Sequence, residues 1–216
     1  MSFPDGLTAE YVFSASPVIP VIVIRDLNKA IPLASALFAG GVKVLEVTLR
    51  TPVALDAIQL LTQTFPDALI GAGTVISPEH LDRVAQAGAQ FAISPGQTNS
   101  LLLAGQKSRI PLIPGIASVS ELMAGLEFGY SHFKLFPAAA VGGIQLLRAL
   151  SGPFPDVRFC PTGGITEENY RDYLALPNVS CVGGSWIVPE QAIKNNEWSL
   201  ITELCLSMGK DLHHVP

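Results

Sequence analysis

Short runs of aliphatic and β-branched residues recur along the chain at near-constant spacing: residues 17–24, 43–49, 68–71, 90–94, 110–113, 132–136, 157–160 and 180–183. Each is followed by a small or polar cluster and then by a longer stretch with helical periodicity, as Leu27, Ile31, Ala34 and Leu37 show. The helix boundaries are signposted. Pro52 and Pro78 sit where a first turn tolerates proline. Ser77-Pro78-Glu79 and Thr166-Glu167-Glu168 read as N-caps with acidic first turns, and Gly40-Gly41, Gly88 and Gly129 stand where helices should stop. Strand, helix, strand at this period is the pattern of βαβ units around a parallel sheet. Eight repeats predict an α/β fold, a single-domain (β/α)8 TIM barrel over residues 1–216, with the barrel at about 17–188 and closing helix at about 189–210. A doubly wound open sheet is the alternative, but no GxGxxG follows the first run, which passes directly into Arg25-Asp26.

In such a barrel the chemistry sits at the C-terminal ends of the strands. The second run reads Val44-Leu45-Glu46-Val47-Thr48-Leu49-Arg50, and side chains alternate across a strand. Glu46, Thr48 and Arg50 are therefore expected to point into the barrel, with Leu45, Val47 and Leu49 facing the helices. A carboxylate inside a barrel is costly unless paired. Either Glu46 and Arg50 form a structural ion pair, or Glu46 is an acid/base group and Arg50 holds a substrate carboxylate. The sixth run carries Lys134 between Phe133 and Leu135. Burial disfavours an ammonium, and a neutral amine attacks ketones to make a Schiff base. The plainer reading is a lysine that reaches solvent or pairs with Glu46. His132, deeper on the same strand, reads as a hydrogen-bonded structural residue. Gly71-Ala72-Gly73-Thr74 and Ser94-Pro95-Gly96 end the third and fourth runs, and glycine there permits close approach of a ligand. Thr162-Gly163-Gly164 and Gly183-Gly184-Ser185 end the seventh and eighth, where barrels of this kind bind phosphate.

Composition narrows the class. Charged residues make up 14% of the chain and hydrophobic ones 49%, where about a quarter charged is usual. That excludes disorder and suits either a large core or surface covered in an oligomer. With a net charge of −5, a sequence-independent grip on nucleic acid or an anionic membrane is not expected. The mean hydropathy of +0.40 raises the question of a membrane span. The apolar runs, however, are broken by Arg25, or by Pro32, Ser35 and Gly40-Gly41, well short of the roughly 20 residues required. The first 24 residues hold no Lys or Arg, so no secretory signal is expected. The 3 cysteines include no CxxC pair, so they are expected to pack as small hydrophobes in a reduced, cytoplasmic protein. His80, His132, His213 and His214 form no HxH or HExxH, and no GxSxG occurs. We therefore expect no metal, no other cofactor and no serine triad.

Several stretches are long enough to be specific: PVIPVIVIRDL, GVKVLEVTLRTP, IGAGTV, GAQFAISPG, IPLIPGIASVSE, FKLFPA, RFCPTGGI and VGGSWIVP. Together they closely resemble the bacterial 2-keto-3-deoxy-6-phosphogluconate (KDPG) aldolases, a family that includes the 4-hydroxy-2-oxoglutarate (KHG) aldolases. The resemblance implies a metal-free class I aldolase of the Entner–Doudoroff pathway, a barrel fold and a homotrimer. It implies reversible cleavage of the phosphorylated keto acid to pyruvate and glyceraldehyde 3-phosphate, with 4-hydroxy-2-oxoglutarate as a second substrate. By the same resemblance, Lys134 is the Schiff-base lysine and Glu46 the general acid/base. Arg50 and Thr74 bind the pyruvyl carboxylate, and Pro95 and Phe136 wall the pyruvyl part. Thr162, Gly163, Gly164, Gly184 and Ser185 cradle the phosphate. Two positions depart from the pattern. Arg25 stands where the family often has lysine, and Pro137-Ala138-Ala139-Ala140 lacks a glutamate sometimes found there. On the residues alone, two other readings stay open: a non-covalent isomerase or epimerase with Glu46 as base, and a non-catalytic sugar-phosphate binding module.

Overall fold

The computed structural model describes residues 6–211; His213 and His214 lie outside them. Helix α1 (Ala9–Ser14) precedes β1 (Val18–Ile22), and the chain then alternates through α2 (Ala30–Ala39), β2 (Val44–Thr48), α3 (Ala54–Thr64), β3 (Leu69–Gly73), α4 (Pro78–Gln86), β4 (Ala92–Ile93) and α5 (Asn99–Lys107). The fifth strand comes in two pieces, β5 (Leu112–Ile113) and β6 (Gly115–Ile116), on either side of Pro114. There follow α6 (Val119–Glu127), β7 (His132–Leu135), α7 (Gly143–Ser151), β8 (Arg158–Pro161), α8 (Tyr170–Leu174), β9 (Val182–Gly184), α9 (Glu190–Asn195) and α10 (Trp198–Asp211).

All described pairings are parallel. One sheet runs β5-β4-β3-β2-β1-β9 and the other β6-β7-β8. They are one ring. Pro114 lacks the N–H a ladder needs, so the fifth strand serves β4 with its first half and β7 with its second. Bridges Phe159↔Val179 and Thr162↔Gly183 join β8 to the β9 side. The expected strand at 110–113 is thus shifted toward its C-terminus and broken by the proline.

Parity sorts the side chains as expected over most of the ring. Leu45 and Val47 of β2, Phe133 and Leu135 of β7 and Phe159 of β8 enter the large core between strands and helices. The inward positions Ile19, Val44, Leu69, Phe91, Ile93, Ile113, Cys160 and Cys181 form a second cluster, which Val12 and Phe13 of α1 complete. Phe13 also meets the His132 ring edge-on at 5.4 Å. Helix α1, capped by Thr8 accepting the Tyr11 N–H, therefore stoppers the N-terminal mouth of the barrel. Periodicity did not reveal it, because six residues are too few to show a period.

Several helix starts follow their caps. Ser77, Thr98 and Ser118 accept the N–H groups of His80, Leu101 and Glu121. Thr166 does not open a helix directly: residues 166–169 form a turn, and α8 starts at Tyr170. Gly40 ends α2, and a Cβ there would lie 2.3 Å from Cys205 Cβ on α10, so its bareness lets the last helix dock. No helix among the described residues is long and apolar enough to cross a membrane.

Candidate active site

The middle of the barrel holds a buried ion pair. Lys134 Nζ donates to Glu46 Oε1 at 2.9 Å, with the two residues only 4% and 1% exposed. Parity turns both inward from strands on different parts of the ring. The bare inner face of β3 makes room for the carboxylate: a Cβ on Gly73 would fall 2.2 Å from Glu46 Oε1. The Phe136 ring lies 5.6 Å from Lys134 Nζ. Removing one partner of such a pair leaves an uncompensated buried charge, at a cost of about 3–5 kcal/mol. Beside Lys134 in the register is Cys160. Burial pushes the neighbouring Cys181 thiol well up, and interactions with Cys160 and with the Glu46 charge add to the effect. The free cysteines Cys160, Cys181 and Cys205 are all buried.

Arg50 corrects one expectation. Strand β2 stops at Thr48, whose Oγ1 donates to the Ile22 carbonyl at 2.8 Å. The chain then turns, Arg50 N donating to the Thr48 carbonyl at 2.8 Å. Arg50 is an exposed residue at the rim, not an inward strand position, and Glu46 pairs with Lys134. Its Nε donates to Thr74 Oγ1 at 3.3 Å, so the arginine and threonine named from the sequence do converge. Thr74 adopts φ +60°, a left-handed conformation that a β-branched residue enters only under strain of about 1–3 kcal/mol. Pro95 follows β4 closely packed: a Cβ on Gly115 would lie 2.3 Å from its carbonyl carbon.

Two glycine loops occupy the same rim. Gly163 and Gly164 have φ of +95° and +77°. Thr162 is buried, and its Oγ1 fills the space left by Gly183, where a Cβ would approach to 2.1 Å. Ser185 is exposed. A cavity of about 460 Å³ opens beside it, reaching Val21, Val23, Arg25 and Lys29. Val21 is the register partner of Glu46, so the cavity approaches the height of the ion pair, although neither Lys134 nor Glu46 is among its walls. Sequence reasoning missed Asn169, whose side chain holds the first loop, and Trp186, which backs the second; an indole directly after Gly-Gly-Ser was the only available signal.

The family model for KDPG and KHG aldolases matches residues 10–204. The chain belongs to that family. This aldolase is 58% identical over 198 residues to the 2-dehydro-3-deoxy-phosphogluconate aldolase of Pseudoalteromonas atlantica, covering 92% of each chain. Among solved structures it is similar to the KDPG aldolase of Legionella pneumophila, which holds pyruvate captured at low pH as a covalent carbinolamine. That match has 72% identity and a TM-score of 0.91 over 91% of this chain and 96% of that one. It is also similar to the KDPG aldolase of Zymomonas mobilis with 3-phosphoglycerate, at 43% identity and a TM-score of 0.82, over 90% and 95% of the two chains.

Proposed function

We propose that this aldolase cleaves 2-keto-3-deoxy-6-phosphogluconate through a Schiff base on Lys134, with Glu46 as the proton shuttle. The observation that carries the reading is the closed Lys134–Glu46 contact of 2.9 Å in the barrel interior. A proton moving across it converts ammonium and carboxylate into neutral amine and neutral acid, and no charge is left stranded.

The amine attacks the C2 ketone, and the protonated Glu46 gives its proton to the departing hydroxyl, which leaves as water. The resulting iminium is an electron sink. Glu46, again a carboxylate, takes the C4 hydroxyl proton; the C3–C4 bond breaks and its electron pair flows into the iminium. Glyceraldehyde 3-phosphate departs and an enamine of pyruvate remains on Lys134. Protonation at C3 and hydrolysis release pyruvate and restore the amine. Arg50 and Thr74 hold the carboxylate, so that orientation supplies part of the rate. Pro95 and Phe136 wall the pyruvyl part. Thr162, Gly163, Gly164, Gly184 and Ser185 bind the phosphate, the remote group whose binding energy fixes the far end. The same chemistry takes 4-hydroxy-2-oxoglutarate to pyruvate and glyoxylate without help from the phosphate loops.

Borohydride reduction in the presence of pyruvate tests the scheme: a reduced pyruvyl adduct should map to Lys134, and a label elsewhere or none at all would sink it. Glu46→Gln should slow turnover far more than it weakens trapping at equilibrium. The iminium supplies the electron sink, so activity should survive EDTA; activity restored by added metal would count against the mechanism. We also infer that residues 1–216 form one domain, that the protein is cytoplasmic, and that it assembles as a homotrimer. Exposed Leu103, Val119 and Met123 on α5 and α6 support a subunit contact. Light scattering at micromolar concentration decides the last point.

A further inference from the structure

Trp186 takes part in no step of the reaction, yet it touches the supports of both glycine loops. Its six-membered ring lies against Gly184: a Cβ there would sit 2.0 Å from Cζ3 and 2.5 Å from Cε3 of the indole. The same indole packs on Tyr170, with ring centroids 5.5 Å apart and planes tilted by 32°. Tyr170 is 1% exposed and begins α8. The residue before it, Asn169, holds the other loop. Its Nδ2 donates to the Gly164 carbonyl at 3.0 Å, and its Oδ1 accepts the Thr166 N–H at 2.9 Å. An unbroken path of contacts thus runs from Gly164 through Asn169, Tyr170 and Trp186 to Gly184. It ties together loops that leave two different strands.

The loops need such a tie. Gly163 and Gly164, at left-handed φ, have no side chains with which to anchor themselves. An oxyanion held by several donors is bound well only when the donors are fixed before it arrives, because otherwise part of the binding energy is lost in ordering them. We propose that Trp186 and Asn169 are positioning residues for phosphate recognition. The indole is a spacer that sets the separation of the Gly163-Gly164 and Gly184-Ser185 loops, and so sets the preference for phosphorylated over unphosphorylated aldol substrates. This rests on the reading above that those loops take the phosphate. On that reading neither residue acts on the reacting carbons, and their effect is confined to the distal end.

Steady-state kinetics of Trp186→Leu, Trp186→Phe and Asn169→Ala on 2-keto-3-deoxy-6-phosphogluconate and on 4-hydroxy-2-oxoglutarate test the proposal. Trp186→Leu and Asn169→Ala should raise KM for the phosphorylated acid roughly ten- to hundredfold, the worth of one hydrogen bond to a charged group. The inhibition constant of inorganic phosphate should move with it. Both variants should keep kcat/KM for the phosphate-free acid within about twofold and should still trap pyruvate with borohydride. Trp186→Phe should recover part of the loss, since a phenyl ring can still pack on Tyr170. Equal losses on the two acids, or an unchanged phosphate response in folded Trp186→Leu, would overturn the spacer while leaving the aldolase reading intact. If the natural protein gains nothing from the phosphate and inorganic phosphate does not compete, the loop assignment fails and the spacer fails with it.

Discussion

Replacing Gly73 by alanine would place a methyl group 2.2 Å from Glu46 Oε1 and 2.8 Å from its Cδ and Cγ. An ordinary carbon–oxygen contact is about 3.3 Å, so the carboxylate must retreat by about 1 Å. Directed away from Lys134, that retreat stretches the 2.9 Å contact to as much as about 4 Å, beyond hydrogen-bond range. The obstructing atom is the end of a flexible side chain rather than backbone, so the fold should survive with a loss of about 1–3 kcal/mol. The chemistry should not be spared, since a misplacement of that size costs about a hundredfold in rate. Urea denaturation and kcat on the phosphorylated keto acid, measured on the same preparation, separate the two effects. Combined with Glu46→Asp, the losses should be less than additive, because both changes act on one distance. Full-speed turnover by folded Gly73→Ala would refute the argument that the Lys134–Glu46 separation controls the reaction.

Four further outcomes are expected. Thr74→Gly relieves the left-handed strain, so the melting temperature should hold or rise while pyruvate binding weakens; a fall in both would show that φ +60° is not strained here. Phe13→Ala should cost about 3–5 kcal/mol in chemical denaturation, because the ring is 1% exposed at the barrel's stoppered end, yet pyruvate trapping should persist. Burial lowers the His132 imidazole from its ordinary value near 6.5, with Glu10 opposing and Arg158 assisting. The unfolded chain therefore takes up that proton first, so the stability tied to neutral His132 is complete above about pH 6.5 and declines below it. His132→Gln should flatten that part of the urea-midpoint profile. Burial also pushes the Cys205 thiol up to about 11 and Cys181 well above its usual range, so native protein at pH 8 should resist iodoacetamide at both positions; rapid labelling would contradict their burial.

Much of this was legible in the chain because it depends on parity. Alternation alone turned Glu46 and Lys134 inward, 88 residues apart, and the fold then brought them within hydrogen-bond reach. What escaped depends on features without a period. Six residues of α1 carry too little pattern to register, yet Phe13 seals the barrel. Pro114 splits a strand that a hydrophobic run alone would leave whole. Arg50 looked like a strand residue by spacing but lies beyond the last ladder pair, because the chain turns at Thr48. The links among Asn169, Tyr170, Trp186 and Gly184 are tertiary packing, which no spacing rule encodes.

Among the described residues, helix 9–14 corks one end of the barrel and leaves the C-terminal ends of the strands as its mouth. On the proposed scheme a reactant tethered at Lys134 lies in the middle of the barrel, deeper than the rim, so whatever is bound nearer the rim must be discharged first. The aldehyde is then the first product out and pyruvate the last. Pyruvate should accordingly compete with the keto acid for free enzyme, whereas the aldehyde should inhibit noncompetitively.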